Sequence, residues 1–239
     1  METVNIGTFC FDGKPQKACA KYDGEQISFG PIKTGHCFQA IRLKNGSLFP
    51  TRCLCCNISW EDLDAMGLIF GTVVQIGKDL YLCRCLEVAD EENVSDEWSA
   101  IVEEMEEAKE SNLLLNFEEV YVWGQGPAKR WPNSKVVRGY YEPNGWYGYD
   151  PGTRSVKVGF RPLFEPLWAV PLDYKPLVGK VIAPMNAAWR HITGVLLSYS
   201  DYDLVLENAS SVPEGCGWAA QVGNQVIVDR AAVRWLREV

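Results

Sequence analysis

The side chains in this sequence that are best suited to binding a metal are its cysteines, which cluster toward the N-terminus. Of nine cysteines in 239 residues, eight lie within the first 85. The run Cys53-Leu54-Cys55-Cys56 contains a C-x-x-C spacing, and Cys83-Arg84-Cys85 could add two thiolates, which together would satisfy tetrahedral zinc. The second pair is a C-x-C on a strand-like segment, and free cysteine is among the most buried residue types. We therefore expect reduced core cysteines and no bound metal, with structural zinc as the alternative.

Histidines are too few to favour the common nucleophilic or iron-dependent sites. The chain has two, His36 and His191, and a facial triad of two histidines and one carboxylate would use both. A Ser/Cys-His-acid triad meets the same shortage. The glycine pair in Gly124-Gln125-Gly126-Pro127 is too short for a phosphate-binding loop. The sequence thus predicts no catalytic residue and no cofactor, and a cryptic enzyme or metalloprotein is the third hypothesis for the function.

A different chemistry, recognition by aromatic side chains, is concentrated in residues 136–166. Tyrosine and tryptophan this dense supply large, half-polar contact surface, and the glycines and prolines between them punctuate loops. We predict a binding face formed by Tyr140, Tyr141, Trp146, Tyr147, Tyr149 and Arg154. The alternative is that these aromatics are the core of a loop-rich fold. On the binding hypothesis, Trp146→Ala and Tyr149→Ala leave the melting temperature nearly unchanged.

Four motifs follow one another around this stretch: Glu97-Trp98, Trp123, Val136-Val137-Arg138-Gly139 and Gly159-Phe160-Arg161-Pro162. Their order resembles the formylglycine-generating-enzyme (sulfatase-modifying-factor) superfamily, and most closely its uncharacterised members in gut bacteria and phages. The resemblance implies a C-type-lectin-like fold. The cysteine pair that this family uses in catalysis has no counterpart, since no cysteine lies between Cys85 and Cys216. The resemblance therefore implies a binding platform, whose variable stretch corresponds to residues 140–154.

Arg138 and Arg161 both stand among apolar residues. A buried arginine must pair with an acid or with backbone carbonyls. We interpret both as structural residues that tie loops to the fold, and ligand contact is the alternative.

One amphipathic helix is predicted within residues 95–110. Its apolar stripe follows the i, i+3, i+4, i+7 spacing of a core-facing surface and consists of Trp98, Ile101, Val102, Met105 and Ala108. The opposite faces are acidic, and the residues predicted to dock a partner there are Glu103, Glu106, Glu107 and Glu110. A solvated helix face is the alternative. The docking hypothesis would make the protein an intracellular inhibitor or sequestering protein, which is the second hypothesis for the function.

The remaining segments predict strands. Residues 1–90 have hairpin signals at Lys44-Asn45-Gly46 and Gly77-Lys78-Asp79. After Pro166 the chain has a proline-spaced linker and then five short β-runs, which suit a small antiparallel barrel and resemble the Sm-like fold. The asparagine and Arg-Gly pair with which Sm proteins bind RNA are replaced by Tyr202-Asp203 and Gly223-Asn224. The predicted fold class is α+β, with a C-type-lectin-like mixed domain over residues 1–170 and a small antiparallel β-barrel of the Sm/SH3 kind over residues 176–239.

Composition and charge exclude several classes of protein. No apolar run approaches the roughly 20 residues of a membrane span, and the N-terminus lacks the basic and apolar regions of a signal peptide. We therefore expect a cytoplasmic protein with no membrane partner. The net charge is −8, and residues 86–128 carry 13 acidic side chains and one basic one, which argues against nucleic-acid binding. The first hypothesis is a non-enzymatic binding protein of phage or gut-bacterial origin; its ligand, a protein or a small molecule, and its oligomeric state are open.

Overall fold

The structure is a computed structural model, and it describes residues 2–76, 79–89, 96–107, 120–140, 145–169, 173–187, 190–212 and 216–239. The chain divides into two compact units, Met1–Pro166 and Leu167–Val239. The domain limits predicted from the sequence, 1–170 and 176–239, stay a prediction.

The α+β prediction is wrong, because the protein is mostly β. Strands account for 49% of the chain and helices for 11%, and one of the sheets is a half-barrel. The described residues contain two α-helices, of which one has only six residues. The C-type-lectin-like mixed domain is therefore not what these residues form. The helix signal is confined to two short segments, whereas β-branched and aromatic residues, which favour strands, run through the rest of the sequence.

The first unit is built from fourteen strands and two helices. In chain order these are β1 (Glu2–Phe11), β2 (Lys14–Pro15), β3 (Ala20–Lys21), β4 (Ile27–Gly30), β5 (Cys37–Arg42), β6 (Leu48–Pro50), β7 (Cys55–Cys56), α1 (Trp60–Ala65), β8 (Thr72–Ile76), β9 (Asp79–Arg84), α2 (Glu97–Glu107), β10 (Val120–Pro127), β11 (Lys135–Tyr140), β12 (Trp146–Tyr149), β13 (Val158–Phe160) and β14 (Leu163–Ala169). The last residues of β14 belong to the second unit.

Two sheets organise these strands. In one, β1 pairs with β2, β4 and β5, β5 pairs with β6, and β9 pairs with β8 and β14. The other has the order β12-β11-β10-β13-β7-β3, in which β12 is an edge strand. The hairpin predicted at Lys44-Asn45-Gly46 is confirmed, because Arg42 pairs with Leu48 and Gly46 takes the positive φ that such a turn needs. The second predicted hairpin joins β8 and β9, although residues 77–78 of its turn lie outside the described part of the chain.

The second unit is an antiparallel sheet with its own core. Its strands are β15 (Val181–Asn186), β16 (Gly194–Tyr199), β17 (Asp203–Glu207), β18 (Ala219–Val222), β19 (Gln225–Asp229) and β20 (Val233–Glu238). Their order is β18-β19-β17-β16-β15-β20, and β20 also pairs with the last residues of β14, at Trp168 and Ala169. A buried apolar cluster around Leu196, Leu206 and Val228 forms this core.

Helix α2 covers one of the two apolar clusters of the first unit. Trp98, Ile101, Val102 and Met105 are buried on it, so this part of the predicted stripe is confirmed, while Ala108 lies outside the described residues. Six of the nine cysteines are also buried. Burial raises the pKa of Cys55, Cys83 and Cys85, which keeps these groups protonated as small apolar side chains.

Candidate binding site at a sheet edge

Three neighbouring strands bring tyrosines from distant positions onto one surface. In β11 and β12, Val137 is opposite Tyr147 and Lys135 is opposite Tyr149. In β10, Tyr121 is opposite Gly139. Because residues directly opposite in neighbouring strands share a face of the sheet, Tyr121, Tyr147 and Tyr149 lie on the same face.

Tyr140 joins this face through an unusual backbone conformation. Gly139 and Tyr140 have φ angles of 88° and 94°, a region that residues with a large side chain rarely adopt. The ring of Tyr140 stacks on Tyr121 with centroids 4.7 Å apart and planes 13° apart. Gly139 N–H donates to the carbonyl of Gly145 at 2.8 Å, so the two ends of this segment are joined. Strained backbone of this kind concentrates at functional sites.

The four tyrosines are in mutual contact around Tyr121. Its ring centroid is 6.4 Å from that of Tyr147 and 5.9 Å from that of Tyr149, and Tyr147 and Tyr149 are 5.4 Å apart. Burial raises the pKa of Tyr121, and the neighbouring phenols raise it further. These rings therefore form one continuous surface, on which the Tyr121 phenol stays protonated and can donate a hydrogen bond.

Two tryptophans extend this surface around the edge strand. Trp146 is opposite Arg138 and so is on the other face of β12. Trp131, from the turn between β10 and β11, contacts Trp146 at 5.2 Å and Tyr147 at 4.8 Å between centroids. We call the whole set the aromatic face: Tyr121, Trp131, Tyr140, Trp146, Tyr147 and Tyr149. It wraps the edge of the sheet rather than covering one side.

The position of Trp131 depends on its turn and on a glycine. Trp131 N–H donates to the Ala128 carbonyl at 3.1 Å, and Ser134 N–H donates to the Trp131 carbonyl at 3.1 Å. A Cβ at Gly148 would lie 2.7 Å from the Trp131 ring, which is closer than any side chain permits. Only glycine at position 148 allows the indole to lie across the edge strand.

Two cations lie over outer rings of the aromatic face. The guanidinium of Arg130 is 4.8 Å from the Trp146 ring centroid, and the ammonium of Lys157 is 5.7 Å from that of Tyr140. Both distances fall in the range of cation–π interactions. Basic side chains therefore flank the aromatic face. Among its six rings Tyr147 is the most exposed, with 44% of its surface open to solvent.

Part of the aromatic face also supports the fold. Tyr121 and Tyr149 pack against the main apolar cluster of the unit, and Tyr149 lies edge-on to the buried Trp123, with centroids 6.3 Å apart. Trp146 is half-buried. Neither predicted alternative, a binding face or the core of a loop-rich fold, describes the whole set, because its inner rings are packed and its outer rings are open.

Arg154 is held by a partner away from these rings. Its Nε donates to Asp62 Oδ2 at 2.8 Å and its Nη2 to Asp62 Oδ1 at 2.7 Å, while its guanidinium lies 5.3 Å from the centre of the Tyr22 ring. Asp62 also forms the capping box of α1 with Ser59. Burial alone would raise the pKa of Asp62, but hydrogen bonds from Arg154 and Ser59 outweigh it and hold the pKa below its usual value. The described contacts of Arg154 thus fasten α1. Tyr141, the remaining member of the predicted set, lies outside the described residues.

The two arginines interpreted as structural do tie segments together. Arg161 donates from Nε to the Pro50 carbonyl at 2.7 Å and from Nη2 to the Thr51 carbonyl at 2.8 Å. Arg138 lies 3.7 Å from Asp96 and donates to Ser99 Oγ at 3.2 Å. Both guanidinium groups are buried, so this interpretation is confirmed.

The acidic residues of α2 do not form a comparable cluster. Glu103, Glu106 and Glu107 are exposed, and Glu110 lies outside the described residues. Lys44 Nζ is 2.7 Å from Glu107 Oε2, and this hydrogen-bonded ion pair lowers the pKa of Glu107. One of the predicted docking charges is therefore already neutralised within the chain.

The cysteine pairs proposed as zinc ligands pack in separate places. Cys53 and Cys56 belong to the apolar cluster under α2, whereas Cys83 and Cys85 belong to the main cluster. In the part of the chain that the structure describes, no group of three or more His, Cys, Asp or Glu side chains is arranged to hold a metal ion.

Sequence reasoning missed two members of the aromatic face, Tyr121 and Trp131. Tyr121 belongs to a run whose apolar and polar residues alternate as in a strand, but the rings that it contacts lie in other strands. Trp131 is in the turn sequence Lys129-Arg130-Trp131-Pro132-Asn133, where no core pattern explains an aromatic residue. A tryptophan inside a turn is the signal that could have indicated a surface role.

No family model matches this chain, and comparisons with curated proteins and with solved structures give no match either. The resemblance to the formylglycine-generating-enzyme superfamily therefore stays a prediction. Among the helices of the described residues, none is long and apolar enough to cross a membrane.

Proposed function

We propose that this chain is a non-enzymatic binding protein, of phage or gut-bacterial origin, that captures a protein partner on the aromatic face. The observation that carries the proposal is the contact surface of four tyrosines and two tryptophans that wraps the edge strand β12, with basic side chains over its outer rings. Tyrosine, tryptophan and arginine are the residues most enriched at the energetic centres of protein interfaces.

The geometry supports a protein partner in two further ways. The inner rings, Tyr121 and Tyr149, rest on the core, so little side-chain entropy is lost when the surface is covered. Among the described strands, β12 is hydrogen-bonded to β11 alone, and an edge strand can accept a further strand from a partner. A rigid aromatic surface next to a strand edge is suited to an extended protein segment.

A site-specific crosslinking experiment tests this proposal. The photoreactive residue p-azidophenylalanine replaces Tyr147 in one sample of the full chain and Tyr202 in a matched control, since Tyr202 is a tyrosine of the second unit with 77% of its surface exposed. Each protein is irradiated in lysate of a gut bacterium, and the products are identified by mass spectrometry. We expect a defined protein adduct from position 147 that position 202 does not give. Identical adducts from both positions, or none from position 147, would contradict the proposal.

A further inference from the structure

The first unit also contains a cavity, which is lined by other residues than those of the aromatic face. It is a cavity of about 250 Å³, larger than the roughly 150 Å³ that encloses a benzene molecule. Its floor is formed by Phe9, Phe38 and Leu54, all of them buried. Its rim carries Lys17, His36 and Arg52, all of them exposed.

The charge of this cavity is unusual for this protein. The chain has a net charge of −8, yet every charged side chain among the described residues lining the cavity is basic. Asn5 and Gln39, which face each other across β1 and β5, add neutral hydrogen-bonding groups. A concave site lined with one sign of charge concentrates counter-ions. The lining therefore favours a ligand with an anionic group at the rim and an apolar group on the floor.

The walls of the cavity are fixed by hydrogen bonds between distant segments. Gln16 N–H donates to the Phe9 carbonyl at 2.8 Å, and Thr51 N–H donates to the Gln39 carbonyl at 2.9 Å. Arg161 donates hydrogen bonds to the backbone carbonyls of residues 50–51. The pairing of β1 with β5 also shifts register between Asn5 and Gly7, and such bulges are over-represented next to binding sites. The site is thus formed before any ligand enters, which reduces the ordering that binding requires.

We infer that this cavity binds a small organic anion that carries a phosphate or carboxylate group on a body the size of one ring. Lys17 and Arg52 contact the anionic group, and the ring lies against Phe9 and Phe38. The planar guanidinium group of an arginine matches a phosphate or carboxylate in shape, whereas the ammonium group of Lys17 acts as a point charge. This inference is independent of the proposed partner of the aromatic face.

The experiment is a nuclear magnetic resonance titration of the full chain with phenyl phosphate, with amide shifts reporting both affinity and position. For about eleven non-hydrogen atoms, ordinary ligand efficiencies predict a dissociation constant on the order of 1 mM. The shifted amides should be those of residues around 16–18, 35–39 and 51–54. No saturable shift, or shifts centred elsewhere, would overturn the inference.

Three further probes separate the parts of the ligand. Benzoate tests a carboxylate in place of the phosphate, inorganic phosphate lacks the ring, and phenol lacks the charge. Phenyl phosphate or benzoate should bind more tightly than either single-feature probe. If inorganic phosphate binds as tightly as phenyl phosphate, the apolar floor takes no part. If phenol binds as tightly as phenyl phosphate, the basic rim takes no part. Either result rejects the inferred ligand class.

Charge-removing variants complete the test. Arg52→Gln and Lys17→Gln keep a polar side chain at an exposed position, so the fold should be preserved. Because a hydrogen bond to a charged group contributes more than a neutral one, each change should weaken binding about tenfold. Lys175→Gln, at an exposed lysine of the second unit, is the matched control for net charge and should change binding less than about twofold. Equal weakening by all three variants would show a general charge effect and overturn the assignment of the site.

Discussion

Four rings of the aromatic face, Tyr140, Trp146, Tyr147 and Tyr149, and the acidic face of α2 were predicted as contact surfaces. The structure organises these two regions differently. The aromatic side chains come from three strands and a turn and contact each other, and Tyr149 packs against Trp123. The acidic side chains come from one helix and point outward, and Glu107 is paired with Lys44. Side chains of one kind become a surface with defined shape only when tertiary contacts hold them together. This difference is why we assign binding to the first region and not to the second.

The largest effect that separates the two regions is expected beneath the aromatic face. Trp123→Ala removes a fully buried indole whose Nε1 donates to the Ile58 carbonyl at 2.8 Å, and such changes lower the free energy of unfolding by about 3–5 kcal/mol. The matched change on the helix, Glu103→Ala, should stay within about 0.5 kcal/mol of the wild type. Urea unfolding followed by circular dichroism measures both. A Trp123→Ala cost below about 1 kcal/mol would show that the aromatic face has no rigid base.

A second prediction tests the close approach of Trp131 to the edge strand. Gly148→Ala places a Cβ against the indole, so Trp131 must move, at a cost of about 1–3 kcal/mol in unfolding free energy. Tyr147 should then become more exposed, because Trp131 is its neighbour. Gly30→Ala is the control, since a Cβ there would meet no atom within 4 Å. If Gly148→Ala is as stable as the control, the indole is not held across β12.

A third prediction concerns pH and separates Arg154 from the aromatic face. The pKa of Asp62 is held below its usual value, so its pairing stabilises the fold above about pH 4 and the contribution is lost as the pH falls through the lowered pKa. Asp62→Asn should therefore be less stable than the wild type at pH 7, by about 1 kcal/mol at most for a pair this exposed. The difference should shrink toward zero in acid. A difference independent of pH would mean that the ion pair is not its source.

The smallest effect is expected on the acidic face itself. The double change Glu103→Lys and Glu106→Lys alters two exposed side chains of α2 and should move the unfolding free energy by about 0.5 kcal/mol or less. It should also leave binding by the aromatic face unchanged. If the variant loses the partner captured through position 147, the helix belongs to the same interface and the contrast between the two regions disappears.

Local signals in the sequence predicted local structure well. The hairpin at Lys44-Asn45-Gly46 and the buried stripe of α2 follow from turn chemistry and 3.6-residue periodicity, and both involve residues close together in the chain. The outer part of the site followed in the same way, since Trp146, Tyr147 and Tyr149 belong to one short strand.

What could not be predicted depends on long-range pairing. Asp62 and Arg154 are 92 residues apart, and nothing in either segment indicates the other. Strands β7 and β3 join β13 in a sheet assembled from distant pieces, and periodicity cannot show such a pairing. Tyr140 joins the aromatic face only through a positive φ, which a tyrosine rarely adopts.

The central claim is that the open rings of the aromatic face bind the partner, and a matched pair of affinities tests it most directly. Tyr147→Ala and Tyr202→Ala each remove one exposed tyrosine, and neither should change the melting temperature by more than a few degrees. With the partner identified by crosslinking, isothermal titration should show about 30-fold weaker binding for Tyr147→Ala, as expected for an interface anchor, and less than about twofold for Tyr202→Ala. Equal affinities for wild type and Tyr147→Ala, with the fold intact, would contradict the account.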